Sequence, residues 1–322
     1  MTVVADGSRQ SATNGYQPVN TSTATLTTMP MLDIPQVVNT VSEQVLEDQH
    51  ATNLDEALYN VANVVQTNTL GGTQDAFSRR GFGANRDGSI MTNGLRTVLP
   101  RSFTAATERV EVLKGPASTL YGILDPGGLI NVVTKRPERS FGGSVSATST
   151  SFGGGSGQFD VTGPIDGTPL AYRVIGEYQH EDYWRNFGKQ KTSFINPSLT
   201  WFGERATVNV SYSHRNYSTP FDRGTIFDLN TGHAVNVDRK TRFDEPFNIT
   251  DGYSDLAQLN AEYRLSDAWT ARFDYSYSQD HYNDDQARVM AYDSATGNLT
   301  RRVDATHGST LNEIGRASCR ER

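Results

Sequence analysis

Cysteine is nearly missing from this chain of 322 residues, and long apolar runs are missing altogether. The one cysteine, Cys319, excludes an intramolecular disulfide and any multi-cysteine zinc site. No run of about 18 apolar residues occurs, so no segment reads as a membrane-spanning helix. An excess of positive charge is also missing. A net charge of −7 sets the chain apart from nucleic-acid binders, which present a basic face. Met1 is followed by TVVADGSRQ, which has neither the basic nor the apolar region of a secretory signal. The six histidines (50, 180, 214, 233, 281 and 307) show no close ligand spacing, so no metal site is expected. Asp284-Asp285 reads as a solvated loop rather than a Ca²⁺ site.

Two glycine-rich stretches fail as phosphate-binding motifs. In GFGANRD, Arg86 stands where a dinucleotide fingerprint needs its last glycine. Gly115 to Gly122 has P-loop-like spacing, but Ile123 and Leu124 replace the required Lys and Ser/Thr. No nucleophile–base pairing is readable. The chain therefore reads as a non-enzyme without a cofactor, and energy for any work it does must come from outside it.

What the chain does hold is aromatic and glycine content: 14 Phe, 14 Tyr, 3 Trp and 29 Gly. That is too aromatic for disorder. Residues 1–30 are rich in Ser, Thr and Asn and read as a flexible segment. Residues 31–140 read as one mixed α/β unit. Strands are expected at Val37–Val41, Ala76–Arg80, Arg109–Leu113 and Leu129–Lys135. Helices are expected after a Ser42 cap and after a Thr52/Asp55 capping box.

Past Arg136-Pro137 the pattern switches to period two. Ala206, Val208, Val210 and Tyr212 alternate with Thr207, Asn209, Ser211 and Ser213. Ala257, Leu259, Ala261 and Tyr263 alternate with Gln258, Asn260, Glu262 and Arg264. A one-sided soluble sheet and a membrane barrel both give such alternation. Strands of about 10 residues, aromatics near strand ends and alternating connections favour the barrel. Asp166-Gly167, Gly203-Glu204 and Ser266-Asp267 read as tight turns. The other connections, mostly long, include Thr219 to Asp251 and the segment after His281. On pattern alone a soluble β-sandwich stays open.

The block ATERVEVLKGPASTLYGILDPGGLINVVTKRP, Ala106 to Pro137, closely resembles the plug domain of TonB-dependent outer-membrane receptors. SRRGFGANRD (Ser78 to Asp87) resembles that family's Arg-Gly-Phe strand, and TNGLR (Thr92 to Arg96) its following hairpin. IPQVVNTVSEQVLEDQHATNLDEAL (Ile34 to Leu58) resembles its opening strand and helix. Within the family the chain is most similar to ferric-siderophore receptors of hydroxamate type.

This resemblance implies a mixed α/β plug domain followed by the first eight or so antiparallel strands of a transmembrane β-barrel. It implies an outer-membrane receptor of a Gram-negative bacterium that binds a ferric siderophore. Import into the periplasm would draw energy from TonB with ExbB and ExbD. The iron would arrive already chelated. Import of haem, cobalamin or a glycan, and a passive pore or β-rich binding protein, are the alternatives. Thr2, Val3, Val4 and Ala5 resemble the segment that pairs with TonB by strand addition. Ligand contacts are expected at the plug apices: Asn68, Arg86, Asp87, Arg101, Ser102 and Phe103, with Tyr121 nearby. Arg80, Arg109, Glu111, Lys114, Lys135 and Arg136 are candidates for plug–barrel contacts.

Length sets one more expectation. A complete barrel of this family has 22 strands, whereas residues 141–312 hold about eight, so the chain reads as a C-terminally truncated fragment. The last residues, EIGRASCRER at 313–322, follow no strand or helix pattern and read as a non-native tail.

Overall fold

The computed structural model describes residues 15–16, 18–83 and 88–321. Thr2–Ala5, Arg86 and Asp87 lie outside the described residues. The chain divides into two compact units. The first comprises Met1–Asn68, Asp75–Thr97 and Arg101–Lys135; the second comprises Thr69–Gln74, Val98–Pro100 and Arg136–Arg322.

In the first unit a short hairpin, β1 (Asn20–Thr21) and β2 (Met29–Pro30), precedes a 3₁₀ turn at Met31–Asp33. Then come β3 (Val37–Val41), α1 (Glu43–Asp48), α2 (Leu54–Ala57), β4 (Val64–Gln66) and β5 (Phe77–Arg79). They are followed by β6 (Ile90–Thr92), β7 (Leu95–Arg96), β8 (Thr107–Lys114), α3 (Ser118–Tyr121) and β9 (Gly128–Thr134). The sheet runs β3-β8-β9-β6-β7, parallel only between β6 and β9, and β4 pairs with β5.

Both faces of this sheet are covered, so β8 and β9 are buried almost without a break. On one face Val110, Val112, Ile130 and Val132 pack with Leu46 and Leu54 from the helices. On the other, Leu113 and Leu129 pack with Val38 and Met91. Each such side chain contributes about 1.5–3 kcal/mol relative to exposure.

Helix caps follow local chemistry. Ser42 caps α1 as expected, its Oγ accepting from Val45 N. The second capping box sits one residue later than the sequence reading placed it. Asn53 Oδ1 accepts from Glu56 N at 2.9 Å, and the Glu56 carboxylate reaches back to Thr52 N at 2.7 Å. The longer glutamate can make that return bond, while Asp55 turns to Arg101. Residues 18–30 also depart from the expected flexible segment, because Thr21 and Thr23 are buried.

The second unit carries β10 (Gly142–Ser149), β11 (Gly154–Pro164), β12 (Leu170–Asp182) and β13 (Lys189–Phe202). It continues with β14 (Ala206–Pro220), β15 (Ile249–Arg264), β16 (Trp269–Asp293) and β17 (Asn298–Glu321). Among the described residues they form one eight-stranded antiparallel sheet in sequence order, with β10 and β17 at its edges. The three predicted tight turns all join neighbouring strands. The ladder between β13 and β14 skips Asn196-Pro197. Pro197 has no N–H to give, and Asn196 Nδ2 donates to Tyr212 O instead.

Two expectations are corrected here. The segment after His281 is not a loop: β16 and β17 extend as a hairpin, and Asp284 and Asp285 sit in β16 opposite Thr250 and Ile249. At about 3.3 Å per residue β16 far exceeds a bilayer core of about 30 Å. The strand also does not lapse at 312, because Cys319 pairs with Ala271 and β17 runs to Glu321. Ladder bonds come from the backbone of β16, so a polar, unpatterned stretch can still extend the strand.

The sheet is inverted relative to a soluble one. Thr200, Asn209, Asn260 and Asp274 form a buried cross-strand row, tied by Asn209 to Thr200 at 2.9 Å and Asn260 to Asp274 at 2.8 Å. The adjacent row on the opposite face is Leu199, Val210, Leu259 and Tyr275, and Val210 is 52% exposed. Trp201, Tyr263 and Trp269 stand exposed beside the tight turns, and Tyr178 and Tyr253 toward the other strand ends. Apolar residues outside, polar residues inside and aromatics at both margins are the pattern of a strand that crosses lipid. Among the described residues no helix is long and apolar enough to cross a membrane, which the strands make unnecessary.

Candidate functional site

The β8–β9 hairpin organises the first unit. Gly128 has φ +106°, and a Cβ there would lie 1.9 Å from Leu113 O; a Cβ on Gly127 would lie 2.3 Å from Arg79 O. Only glycine lets the chain close at these points. Arg79 is buried against them, its Nε donating to Gly128 O at 3.1 Å and its Nη1 to Phe77 O at 3.0 Å. Arg80 and Gly81 both have positive φ, and Arg79 and Phe82 exchange backbone hydrogen bonds across them. The Arg-Gly-Phe stretch is therefore a tight turn after β5 rather than a continuing strand.

On β8 a carboxylate is fully buried. Glu111 accepts from Arg109 Nε at 2.7 Å, from Thr21 Oγ1 at 2.6 Å and from Thr23 Oγ1. Asn131 Nδ2 donates to Thr23 Oγ1, and Tyr121 Oη to Thr23 O at 2.7 Å. The N-terminal hairpin is thus clasped onto β8, β9 and α3 through polar groups that cannot be left unpaired once buried. No pattern in the sequence marks Thr21 and Thr23, because single threonines in a polar stretch look alike.

The segment around Arg101 is held from inside the same unit. Arg101 Nη1 lies 3.1 Å from Asp75 Oδ1 and 3.5 Å from Asp55 Oδ2, and Ser102 N donates to Asp75 Oδ2 at 2.6 Å. Burial works against the Arg101 charge, but Asp75 and Asp55 outweigh it and hold its pKa above the usual arginine value. Burial pushes the Asp55 pKa up, and its Oδ1 has no hydrogen-bond partner. Phe103 packs against the core and Tyr121 against the opposite face. Arg101, Ser102, Phe103 and Tyr121 are thus anchored within the first unit, while Asn68 is exposed.

Of the residues predicted at plug–barrel contacts, Arg109 and Glu111 pair with each other, and Lys135 pairs with Glu43 at 2.8 Å. Arg136 donates to Asn260 within the second unit. The Arg80 and Lys114 side chains show no carboxylate partner among the described residues. Burial and the Arg80 charge depress the Lys114 pKa.

In the second unit, segments Thr69–Gln74 and Val98–Pro100 are tied to strand and loop residues. Asp222 N donates to Gly71 O at 3.1 Å, and Val98 N to Ser278 Oγ at 3.2 Å. Asp222 also accepts from Arg185 and Tyr183. Further along that connection Asp228 accepts from Ser294 N and Oγ and from Thr231 Oγ1, fastening it to the tip of the β16–β17 hairpin. Burial raises the Asp228 pKa, but these hydrogen bonds overcome it and hold the carboxyl well below the usual range. Among the described residues no group of three or more His, Cys, Asp or Glu could hold a metal ion.

Residues 30–129 match the TonB-dependent Receptor Plug Domain family. The metal-pseudopaline receptor CntO of Pseudomonas aeruginosa is 31% identical over 287 residues, 87% of this chain and 40% of that protein. The chain holds a plug domain and barrel strands of a TonB-dependent outer-membrane receptor. The ferrioxamine B receptor of Salmonella typhimurium is 27% identical over 79% of the chain and 38% of its own length. The closed form of the ferric-catecholate import receptor Fiu of Escherichia coli superposes with a TM-score of 0.78 at 27% identity, covering 90% of this chain and 44% of Fiu. The chain therefore spans about two-fifths of the length of these receptors. They are receptors, not enzymes. The two-unit division separates most of the plug from the barrel strands, and the inverted sheet is the barrel's lipid-crossing wall.

Proposed function

We propose that the protein imports a ferric siderophore or closely related metal chelate across the outer membrane with energy from TonB. The observation that carries this reading is a plug domain followed by a lipid-facing sheet, in a chain similar to receptors named for metal-pseudopaline, catecholates and ferrioxamine B. A passive pore has no use for a plug. Asn68, Arg86 and Asp87 are the plug's ligand contacts in this reading. Arg101, Ser102, Phe103 and Tyr121 hold the neighbouring loops in place. Arg80 and Lys114, which carry charge without a carboxylate partner among the described residues, contact the barrel wall. Thr2–Ala5 pairs with TonB, which acts with ExbB and ExbD.

The test is uptake of radiolabelled iron by a Gram-negative host that lacks its own siderophore receptors and expresses the whole receptor. Ferric hydroxamates, the class carried by the resemblance, are offered alongside ferric catecholates. Accumulation of one chelate, abolished when Thr2–Ala5 is deleted, is the expected outcome. Uptake of none of them overturns the siderophore reading. Uptake indifferent to the deletion overturns the TonB assignment.

A further inference from the structure

The chain leaves the first unit twice and returns each time, at Thr69–Gln74 and at Val98–Pro100. The first excursion follows Asn68 and the second precedes Arg101, two of the residues expected at ligand-binding apices. The two are built differently. The first closes on itself. Below it Thr67 N donates to Ala76 O at 2.9 Å, and within it Gln74 N donates to Thr69 O at 3.1 Å and Gly72 N to Thr69 Oγ1 at 3.2 Å. Leu70, at φ +49°, takes a conformation uncommon for a residue with a side chain in order to make this turn. The second excursion has no such closure. Residues 97–99 carry neither turn nor strand, and Pro100 has no N–H to close one with and disfavours a helical Leu99. Its place is therefore set from its ends.

At one end Val98 N donates to Ser278 Oγ. At the other stands Asp75, the residue at which the first excursion returns. Its carboxylate binds both residues at which the second returns: Oδ1 lies 3.1 Å from Arg101 Nη1, and Oδ2 accepts from Ser102 N at 2.6 Å. The Asp75 side chain is only 3% exposed and Ser102 is buried, so a bond lost here leaves a polar group unpaired away from water. Asp55, at the start of α2, reaches Arg101 from 3.5 Å and is more exposed, at 24%. It holds the guanidinium less closely than Asp75 does.

From this arrangement we infer that Asp75 is a positioning residue for the chelate, joining the two apices at their feet so that they present one fixed surface. Asp75 acts through Arg101 and Ser102 and not by touching the ligand. Arg101, a ligand contact on sequence grounds, is engaged in the joint instead. A surface already fixed binds more tightly than one that must order on contact, because ordering is then not charged against binding. This inference rests on the importer reading above and deepens it.

The test compares the whole unaltered receptor in outer membranes with Asp75→Asn, Arg101→Gln, Arg101→Lys, Asp55→Asn and the pair Asp75→Asn/Arg101→Gln. Ferrioxamine B and a ferric tris-catecholate are offered to each, and equilibrium binding and maximal uptake are read separately. Asp75→Asn is expected to weaken whichever chelate the unaltered receptor takes by about tenfold. Maximal uptake should stay within about twofold, since the joint supports binding and not the transport step. Arg101→Gln should act alike, Arg101→Lys should keep most of the affinity, and Asp55→Asn should cost less than Asp75→Asn. The pair should lose less than the two single losses together, because each residue acts through the other. Amide exchange at Val98 and Leu99 should quicken in Asp75→Asn while Val110 and Val112 keep their protection. Unchanged exchange at Val98 overturns the joint, and unchanged affinity overturns its role in binding. Loosening of Val110 and Val112 to the same degree makes Asp75 a support of the core and overturns the inference as well. If Asp75→Asn does not reach the outer membrane, Arg101→Gln against Arg101→Lys decides on the same readouts. An unaltered receptor that takes neither chelate overturns the importer reading, while exchange at Val98 and Leu99, which needs no chelate, still decides whether the joint exists.

Discussion

In the plug, β8 and β9 bury Val110, Val112, Ile130 and Val132; in the barrel, β13 to β16 bury Thr200, Asn209, Asn260 and Asp274 and leave Val210 and Phe273 bare. Both sheets alternate side chains with the same period, but they bury opposite chemistry. Period two is a property of the pleat alone. Which half of the alternation turns inward depends on the medium outside. Plug strands sit under helices and must hide apolar groups from water. Barrel strands meet lipid, which rewards the same groups for being outside and demands that polar ones find partners inside. The low hydropathy that excluded a membrane helix is a consequence of that second arrangement.

The comparison breaks most severely at the plug core. Ile130→Ala should cost about 2–5 kcal/mol, since the site is fully buried on both sides and cannot collapse. Hydrogen exchange along Thr107–Lys114 reads this directly, and unchanged protection would show that the plug sheet is not packed as described. Val210→Arg tests the other sheet. On a lipid face it should cost about 2–4 kcal/mol, measured as folding into lipid vesicles against urea. On a water-facing surface the same change would be nearly neutral, so an unaffected midpoint would remove the membrane assignment of this face.

A third substitution separates the two sheets by sign. Asn209→Leu puts an apolar group at a buried position, which in the plug would be tolerated or favourable. In the barrel it strips Thr200 of its hydrogen bond and should destabilise by about 1–2 kcal/mol. Adding Thr200→Val should recover part of that loss, because replacing both partners leaves nothing unpaired. A double-mutant cycle in detergent measures the recovery.

The two sheets also differed in how far their residues announced them. The barrel alternation was legible because lipid and lumen enforce it along every strand, and Asp166-Gly167, Gly203-Glu204 and Ser266-Asp267 marked their turns by composition. β3 matched its expected limits, Val37–Val41, and Ser42 its cap. What stayed hidden depended on partners far away in sequence. Thr21 and Thr23 are ordered by Glu111, about ninety residues on. Arg101 reads as a free apical cation until Asp75 and Asp55 come beside it. Asp284-Asp285 reads as a loop until β15 and β17 extend past the membrane to flank it.

The smallest expected effect tests whether the plug's local chemistry behaves like that of a water-soluble domain. Asn53→Ala removes the side-chain acceptor for Glu56 N at the start of α2 and should cost about 1 kcal/mol. Asp55 and Glu56 stay in the first turn, where they favour the helix dipole. Asn53→Ser should restore most of the loss, because a hydroxyl also accepts from the third helical N–H. The barrel has no counterpart to this substitution, since its termini are ladder ends and not helix caps. Amide exchange at Glu56 and Ala57 should therefore quicken while exchange across β13–β16 stays unchanged. If both regions loosen together, the two units do not respond independently, and the contrast between them would have to be drawn from side-chain burial alone.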